Sequence, residues 1–320
     1  MKIKTVFIVV LNVILCAAVI LAADYCYAEY NYNKIVKEHF TDRSAPDFDY
    51  NLNLIHFSST YGSEKDFFNT IRRKVIPDNP SDKKSVLFLG CSFAYGEDAE
   101  DNETIEYYLA QKTGRIVYNR GLNGAGLSQM LYMLRQDNFY SSIDKEPEYA
   151  VYIFITDHIR RIFIHKYAEL LSCINYEKKN GVLIEKKLPF YYLRRLSLFR
   201  AFMKKYIEKN ILGNTKRENE IFDLVKLYFE EAGKELQARY PDIKFVIMKY
   251  PAAKNDTPIE KFVYNTDRWK ELEDEGFIIY DLEKKFDADL ESSEYVVPGR
   301  HPKPSAWKMI SSKFASDLKL

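Results

Sequence analysis

The stretch Val86-Leu87-Phe88-Leu89-Gly90-Cys91-Ser92-Phe93-Ala94-Tyr95-Gly96 decides how this chain is read. Four apolar residues in succession, without polar alternation, describe a strand covered on both faces, the kind found in parallel sheets. The run stops at Gly90, and a single hydroxyl, that of Ser92, follows in a turn bounded by Gly90 and Gly96. Glycines at both positions permit the tight backbone that lifts a side chain above a sheet edge. A serine after a glycine at a strand end is also an ordinary turn, so the stretch alone leaves a structural and a nucleophilic reading open.

Outward from it, apolar runs alternate with amphipathic segments from Ser85 onward. The pattern predicts strands at 86–90, 116–119, 150–155, 244–250 and 277–280, and helices at about 103–113, 127–137, 218–239, 258–274 and 304–318. Such alternation argues for a parallel sheet covered by helices on both faces. Five strands in this order suit a three-layer, flavodoxin-like α/β domain over residues 84–320, with its site at the carboxyl ends of the strands. The segment 159–217 is too long for a simple connection. It carries Phe163, Tyr167, Phe190, Tyr191, Tyr192, Phe199, Phe202 and Tyr206, and reads as a helical, aromatic-rich insertion. Such an insertion serves as a lid or substrate platform, or buries its aromatics against the body. Residues 24–83 are rich in Tyr, Asn and Asp, contain Pro46, Pro77 and Pro80, and lack sustained periodicity. They read as a membrane-proximal stalk packed on the main domain.

At the far end, Gly299-Arg300-His301-Pro302-Lys303-Pro304 leads into a helix-like segment, which places a histidine in a stiff loop before the last helix. Gly-x-Ser-x-x-x-Gly early and His-Pro late together resemble the first and last blocks of the SGNH (GDSL-like) hydrolases. Val117–Gly126 is similar to the second block, with Gly124 the best match, and Tyr152–His158 matches the third block in part. The resemblance covers roughly residues 84–320. It implies Ser92 as nucleophile, His301 as its base, and the backbone N–H groups of Ser92 and Gly124 as donors to an oxyanion. A serine hydroxyl needs both kinds of help, because its own pKa lies far above neutrality.

The chain departs from the family pattern twice. Where the third block has an Asn that donates to the oxyanion, this sequence has Thr156, Asp157 and His158. The Thr156 hydroxyl or a His158 N–H could take that role, while an ionised Asp157 would repel the charge and could instead pair with Arg160 or Arg161. The family also carries an Asp two or three residues before the His, and here those positions are Gly299 and Pro298. Glu294, Asp287 or Asp289 could reach His301 only if the loop folds back, so the expected site is a Ser–His dyad. His39, His56 and His165 have no comparable context. Cys91 stands where the family usually has Asp, and reads as a small packed side chain rather than a thiolate.

With 47 basic and 46 acidic residues the net charge is +1, which removes any broad electrostatic footprint for nucleic acid. Residues 6–23 are uncharged and apolar except for Asn12, and Lys2 and Lys4 precede them. That length can just span the hydrocarbon core, and the lysines favour a cytoplasmic N-terminus. The expectation is an uncleaved single-pass transmembrane anchor with the body outside the cytoplasm; a cleaved signal peptide is the competing reading. The four cysteines, Cys16, Cys26, Cys91 and Cys173, show no paired spacing. Neither a disulfide framework nor a metal or cofactor is expected. Anchor, aromatic insertion and resemblance together imply a serine esterase that removes O-acyl groups from envelope glycans or small esters. The rivals are an O-acyltransferase using the same Ser92 and a catalytically silent glycan- or partner-binding module.

Overall fold

The quoted apolar run is a strand buried at every position, and it lies inside a six-stranded sheet. The computed structural model describes residues 74–122, 124–163, 175–186, 205–252, 256–287, 289–296 and 301–320, with isolated positions between 19 and 26. Its strands are β1 (Lys74–Val75), β2 (Ser85–Gly90), β3 (Val117–Gly121), β4 (Pro147–Phe154), β5 (Asn175–Lys179), β6 (Val182–Lys186), β7 (Lys244–Lys249) and β8 (Ile278–Asp281). The sheet runs β1-β3-β2-β4-β7-β8, with β5 and β6 forming a separate hairpin. Every pairing from β3 to β8 is parallel. Those five strands follow the flavodoxin-like order, and the order reverses at β2, between β3 and β4.

The helices are α1 (Ser92–Tyr95), α2 (Ile105–Thr113), α3 (Leu127–Leu134), α4 (Asp137–Tyr140), α5 (Asp157–Phe163), α6 (Glu218–Arg239), α7 (Pro258–Asn265), α8 (Trp269–Asp274), α9 (Leu282–Lys285) and α10 (Pro304–Asp317). Side chains alternate across the sheet, so β2 feeds two cores. Val86 and Phe88 join Leu109 of α2 and Trp307 and Phe314 of α10 on one face. Leu87 and Leu89 join Leu131 of α3 and Phe229 of α6 on the other. All of these side chains are fully or almost fully buried. Each such side chain contributes roughly 1.5–3 kcal/mol on leaving water, which is why a strand apolar at every position stays in the middle layer.

Three features depart from the sequence expectation. The sheet has a sixth, antiparallel strand: β1 pairs Lys74 with Tyr118 and Val75 with Val117, so the end of the presumed stalk belongs to the sheet. Two residues are too few to show a period, and Pro77 just beyond them suits an edge position. The helix expected at 258–274 is two, because Thr266 takes an extended conformation and ends α7. The insertion contains the β5–β6 hairpin, turned at Asn180 and Gly181 with φ of 53° and 81°. Asn-Gly is the signature of that turn. Among the described residues no helix is long and apolar enough to cross a membrane, and the predicted span 6–23 lies outside them except at positions 19, 22 and 23.

Candidate active site

The site starts where β2 ends. Gly90 has φ +144°, and a Cβ there would stand 3.1 Å from both the Ala94 Cβ and the Ile153 carbonyl oxygen. The chain turns through extended, buried Cys91 and enters α1 at Ser92. α1 rests directly on the end of β3: a Cβ at Gly121 would lie 2.2 Å from the Tyr95 nitrogen. Buried Asn119 of β3 holds it there. Its Nδ2 donates to the carbonyls of Ala94 (2.9 Å) and Tyr95 (3.3 Å), while its Oδ1 accepts the Gly121 N–H at 2.9 Å. Asn119 thus satisfies carbonyls at the C-terminal end of a four-residue helix, groups that such a helix cannot pair internally. Sequence reading missed this residue, since a polar position at a strand end looks like a turn.

His301 arrives from the opposite end of the chain. Lys303 N–H donates to the Tyr295 carbonyl at 2.7 Å, Pro302 bridges Val296, and Pro304 opens α10. Phe93 packs edge-on against the imidazole at 5.3 Å and against Tyr250 at 5.0 Å, which fixes the ring plane. His301 Nε2 lies 2.8 Å from Ser92 Oγ, and His301 Nδ1 lies 3.1 Å from Asp98 Oδ2. Nδ1–H donating to the carboxylate leaves the Nε2 lone pair facing the Ser92 hydroxyl, the tautomer that a base needs. Glu97 Oε2 also stands 3.2 Å from Nε2, on the more open side.

The dyad expected from the sequence is therefore completed by an acid, though not by one of the three considered. Neither Glu294, Asp287 nor Asp289 pairs with His301, and Asp289 Oδ1 instead accepts the Glu291 N–H at 3.0 Å. Asp98 comes from the turn after α1, with φ of 65°. Asp is one of the few side chains that tolerate this left-handed region, a weak signal for a turn and none for a catalytic role. Positions 297–300, where the family acid would stand, lie outside the described residues.

Gly124 sits in the loop after β3 with φ of 74°. The Leu122 N–H donates to the Gly90 carbonyl at 3.0 Å, which sets this loop beside the Ser92 turn. Thr156 is buried just past the carboxyl end of β4. Asp157, which stands beside it in the block where the family has its Asn, has a side chain that accepts and does not donate: its carboxylate meets Arg161 Nη2 at 2.6 Å and Arg160 Nη1 at 3.5 Å, the ion-pair alternative. Arg161 Nη1 also donates to the Ala125 carbonyl at 2.5 Å, so the pair braces the Gly124 loop. His158 turns into the core instead. Its Nδ1 lies 2.9 Å from the Tyr152 hydroxyl, and complete burial, with a smaller push from Arg161, drives its pKa well below the usual histidine value. Cys91 is a free thiol and wholly buried, as expected of a packed side chain. Among the described residues no His, Cys, Asp and Glu cluster could hold a metal ion.

No protein-family model and no curated protein matches the sequence. Solved structures resemble the chain distantly. A G-D-S-L family protein from Desulfitobacterium hafniense shares 11% identity over 73% of this chain and 99% of its own, with a TM-score of 0.41. A carbohydrate esterase family 2 enzyme with its carbohydrate-binding domain, from Corynascus thermopiles (Myceliophthora fergusii), shares 13% over 76% and 67%, with a TM-score of 0.43. An SGNH-hydrolase family esterase shares 14% over 75% and 97%, with a TM-score of 0.38.

Proposed function

We propose that this chain is a serine ester hydrolase of the SGNH (GDSL-like) type that removes O-acyl groups through an acyl-enzyme on Ser92. The observation that carries the reading is the line Ser92 Oγ, His301 Nε2, His301 Nδ1, Asp98 Oδ2, with steps of 2.8 and 3.1 Å. In this mechanism Ser92 Oγ attacks the ester carbonyl carbon while its proton passes to Nε2. Asp98 keeps the ring oriented and balances the imidazolium charge, and the Ser92 and Gly124 N–H groups face the oxyanion. The tetrahedral intermediate collapses by breaking the bond to the alkoxide, which takes the proton from Nε2. Water then attacks the acyl carbon and gives a proton to Nε2; the bond from that carbon to Oγ breaks, Oγ takes the proton back from Nε2, and the carboxylic acid leaves.

The substrate class we favour is O-acylated envelope glycan, with the body held outside the cytoplasm by an anchor at residues 6–23. The apolar span after Lys2 and Lys4 supports the topology. The aromatic-rich segment 159–217 supports a sugar substrate. The silent-module reading rests on the missing acid and on the altered third block; Asp98 stands where an acid is needed, while Asp157 and His158 are engaged elsewhere and leave Thr156 as the remaining candidate donor of that block. An acyltransferase would use the same acyl-enzyme and differ only in passing the acyl group to a sugar hydroxyl in place of water.

The test uses the purified full-length chain, a fluorophosphonate probe and p-nitrophenyl acetate. Covalent labelling mapped to Ser92, together with acetate release, is expected. Folded protein that neither labels nor turns over removes the proposal, and acyl transfer to excess oligosaccharide in preference to hydrolysis moves it to the transferase.

A further inference from the structure

Return of the proton fixes where the alcohol half of an ester must pass. In the esterase reading, on which this inference rests, His301 Nε2 hands its proton to the leaving oxygen, which then comes within about 3.2 Å of that nitrogen. Glu97 Oε2 stands 3.2 Å from the same atom. The leaving oxygen of any substrate therefore passes within roughly 6.5 Å of the Glu97 carboxylate, the sum of the two reaches.

Three observations make that carboxylate available to a ligand. Its side chain is 43% exposed. Its backbone is fixed, since the Glu97 N–H donates to the Ser92 carbonyl at 3.0 Å. Among the described residues no lysine or arginine pairs with it, whereas Asp98 beside it is taken by Nδ1 of the same imidazole. A carboxylate offers about four acceptor positions, so the close approach to Nε2 leaves others open to a ligand.

We propose that Glu97 is a specificity-determining residue that favours esters whose alcohol part carries a positive charge close to the ester oxygen, and disfavours anionic alcohols. At a partly exposed carboxylate a charge pair at this separation amounts to roughly a factor of ten in kcat/KM, and added salt weakens it.

The experiment compares three acetyl thioesters with the full-length chain, the thiol standing in for the alcohol. These are acetylthiocholine, its uncharged carbon isostere 3,3-dimethylbutyl thioacetate, and anionic 2-(acetylthio)ethanesulfonate. Comparing each substrate across wild type, Glu97→Gln and Glu97→Lys cancels intrinsic differences in leaving-group reactivity. The Gln variant is expected to lower the cationic-to-neutral ratio of kcat/KM about tenfold, and the Lys variant to favour the sulfonate. Raising ionic strength from about 20 to about 500 mM should shrink the wild-type preference. An unchanged ratio in Glu97→Gln overturns the proposal while neutral turnover and Ser92 labelling leave the esterase reading standing. Equal losses on all three substrates also overturn it, placing Glu97's effect on the imidazole. Folded wild type that turns over none of the three and takes no label removes both readings together.

Discussion

Asp98 and His301 stand 203 positions apart in the chain, yet the carboxylate of one meets Nδ1 of the other at 3.1 Å. The acid that orients the imidazole thus comes from the turn just behind the nucleophile and not from the loop that carries the histidine. Ser92 and Asp98 lie within one helix and the turn that follows it, and His301 comes from the far end of the chain to complete the line.

Ser92→Ala and His301→Ala are each expected to lower kcat on p-nitrophenyl acetate by at least about 10³-fold, with the double variant little worse than either. Near-native far-UV circular dichroism and thermal midpoint would accompany the loss. Additive losses would mean that the two side chains do not act as a unit.

Removing the Asp98 carboxylate separates orientation from folding. Asp98→Asn and Asp98→Gly should both lose about 10²- to 10⁴-fold in kcat, because the wrong tautomer becomes accessible. Glycine suits a φ of 65° better than any side chain, so stability of Asp98→Gly in urea should stay within about 1 kcal/mol of wild type. Full activity in Asp98→Asn would return the site to a Ser–His dyad.

Asn119→Ala leaves two carbonyls of α1 and the Gly121 N–H without their buried partner. Each of these three hydrogen bonds contributes about 0.5–1.5 kcal/mol, so a loss of about 2–4 kcal/mol in urea unfolding is expected. Gly121→Ala should cost about 3 kcal/mol or more, since its Cβ would meet backbone and not a flexible side chain. A loss below about 1 kcal/mol in either variant would show that α1 is not fixed by β3.

Buried His158 gives folding an acid-sensitive slope. Its pKa in the folded state lies well below the ordinary histidine value of about 6.5. Between that value and the depressed one the unfolded chain binds a proton that the folded chain refuses, so stability is complete above about pH 6.5 and declines as the pH falls. His158→Gln retains an acceptor for Tyr152 and should flatten this slope when urea midpoints at pH 7.5 and pH 5.5 are compared. An unchanged slope would place the acid sensitivity elsewhere.

The strand–helix alternation was legible because apolar runs without polar alternation can only sit in a covered sheet, and β2, β3, β4, β7 and β8 stand close to the positions read from the residues. Ser92 and His301 were singled out by the resemblance to the SGNH hydrolases and not by the local pattern, which left Ser92 an ordinary turn; the structure brings the two side chains to 2.8 Å. The Asn180-Gly181 hairpin was written in the sequence and passed over amid the aromatics of the insertion. Asp98, Asn119 and the Asp157–Arg161 brace were not legible. A carboxylate or amide has no period, and what it does depends on which partner the sheet order brings within about 3 Å of it. Local hydrophobic pattern alone fixed the order of elements along the chain. Only the crossing of β3 and β4 on either side of β2, and the return of α10 to the same edge, decided which acid meets the histidine, because that choice depends on distances between residues some two hundred positions apart.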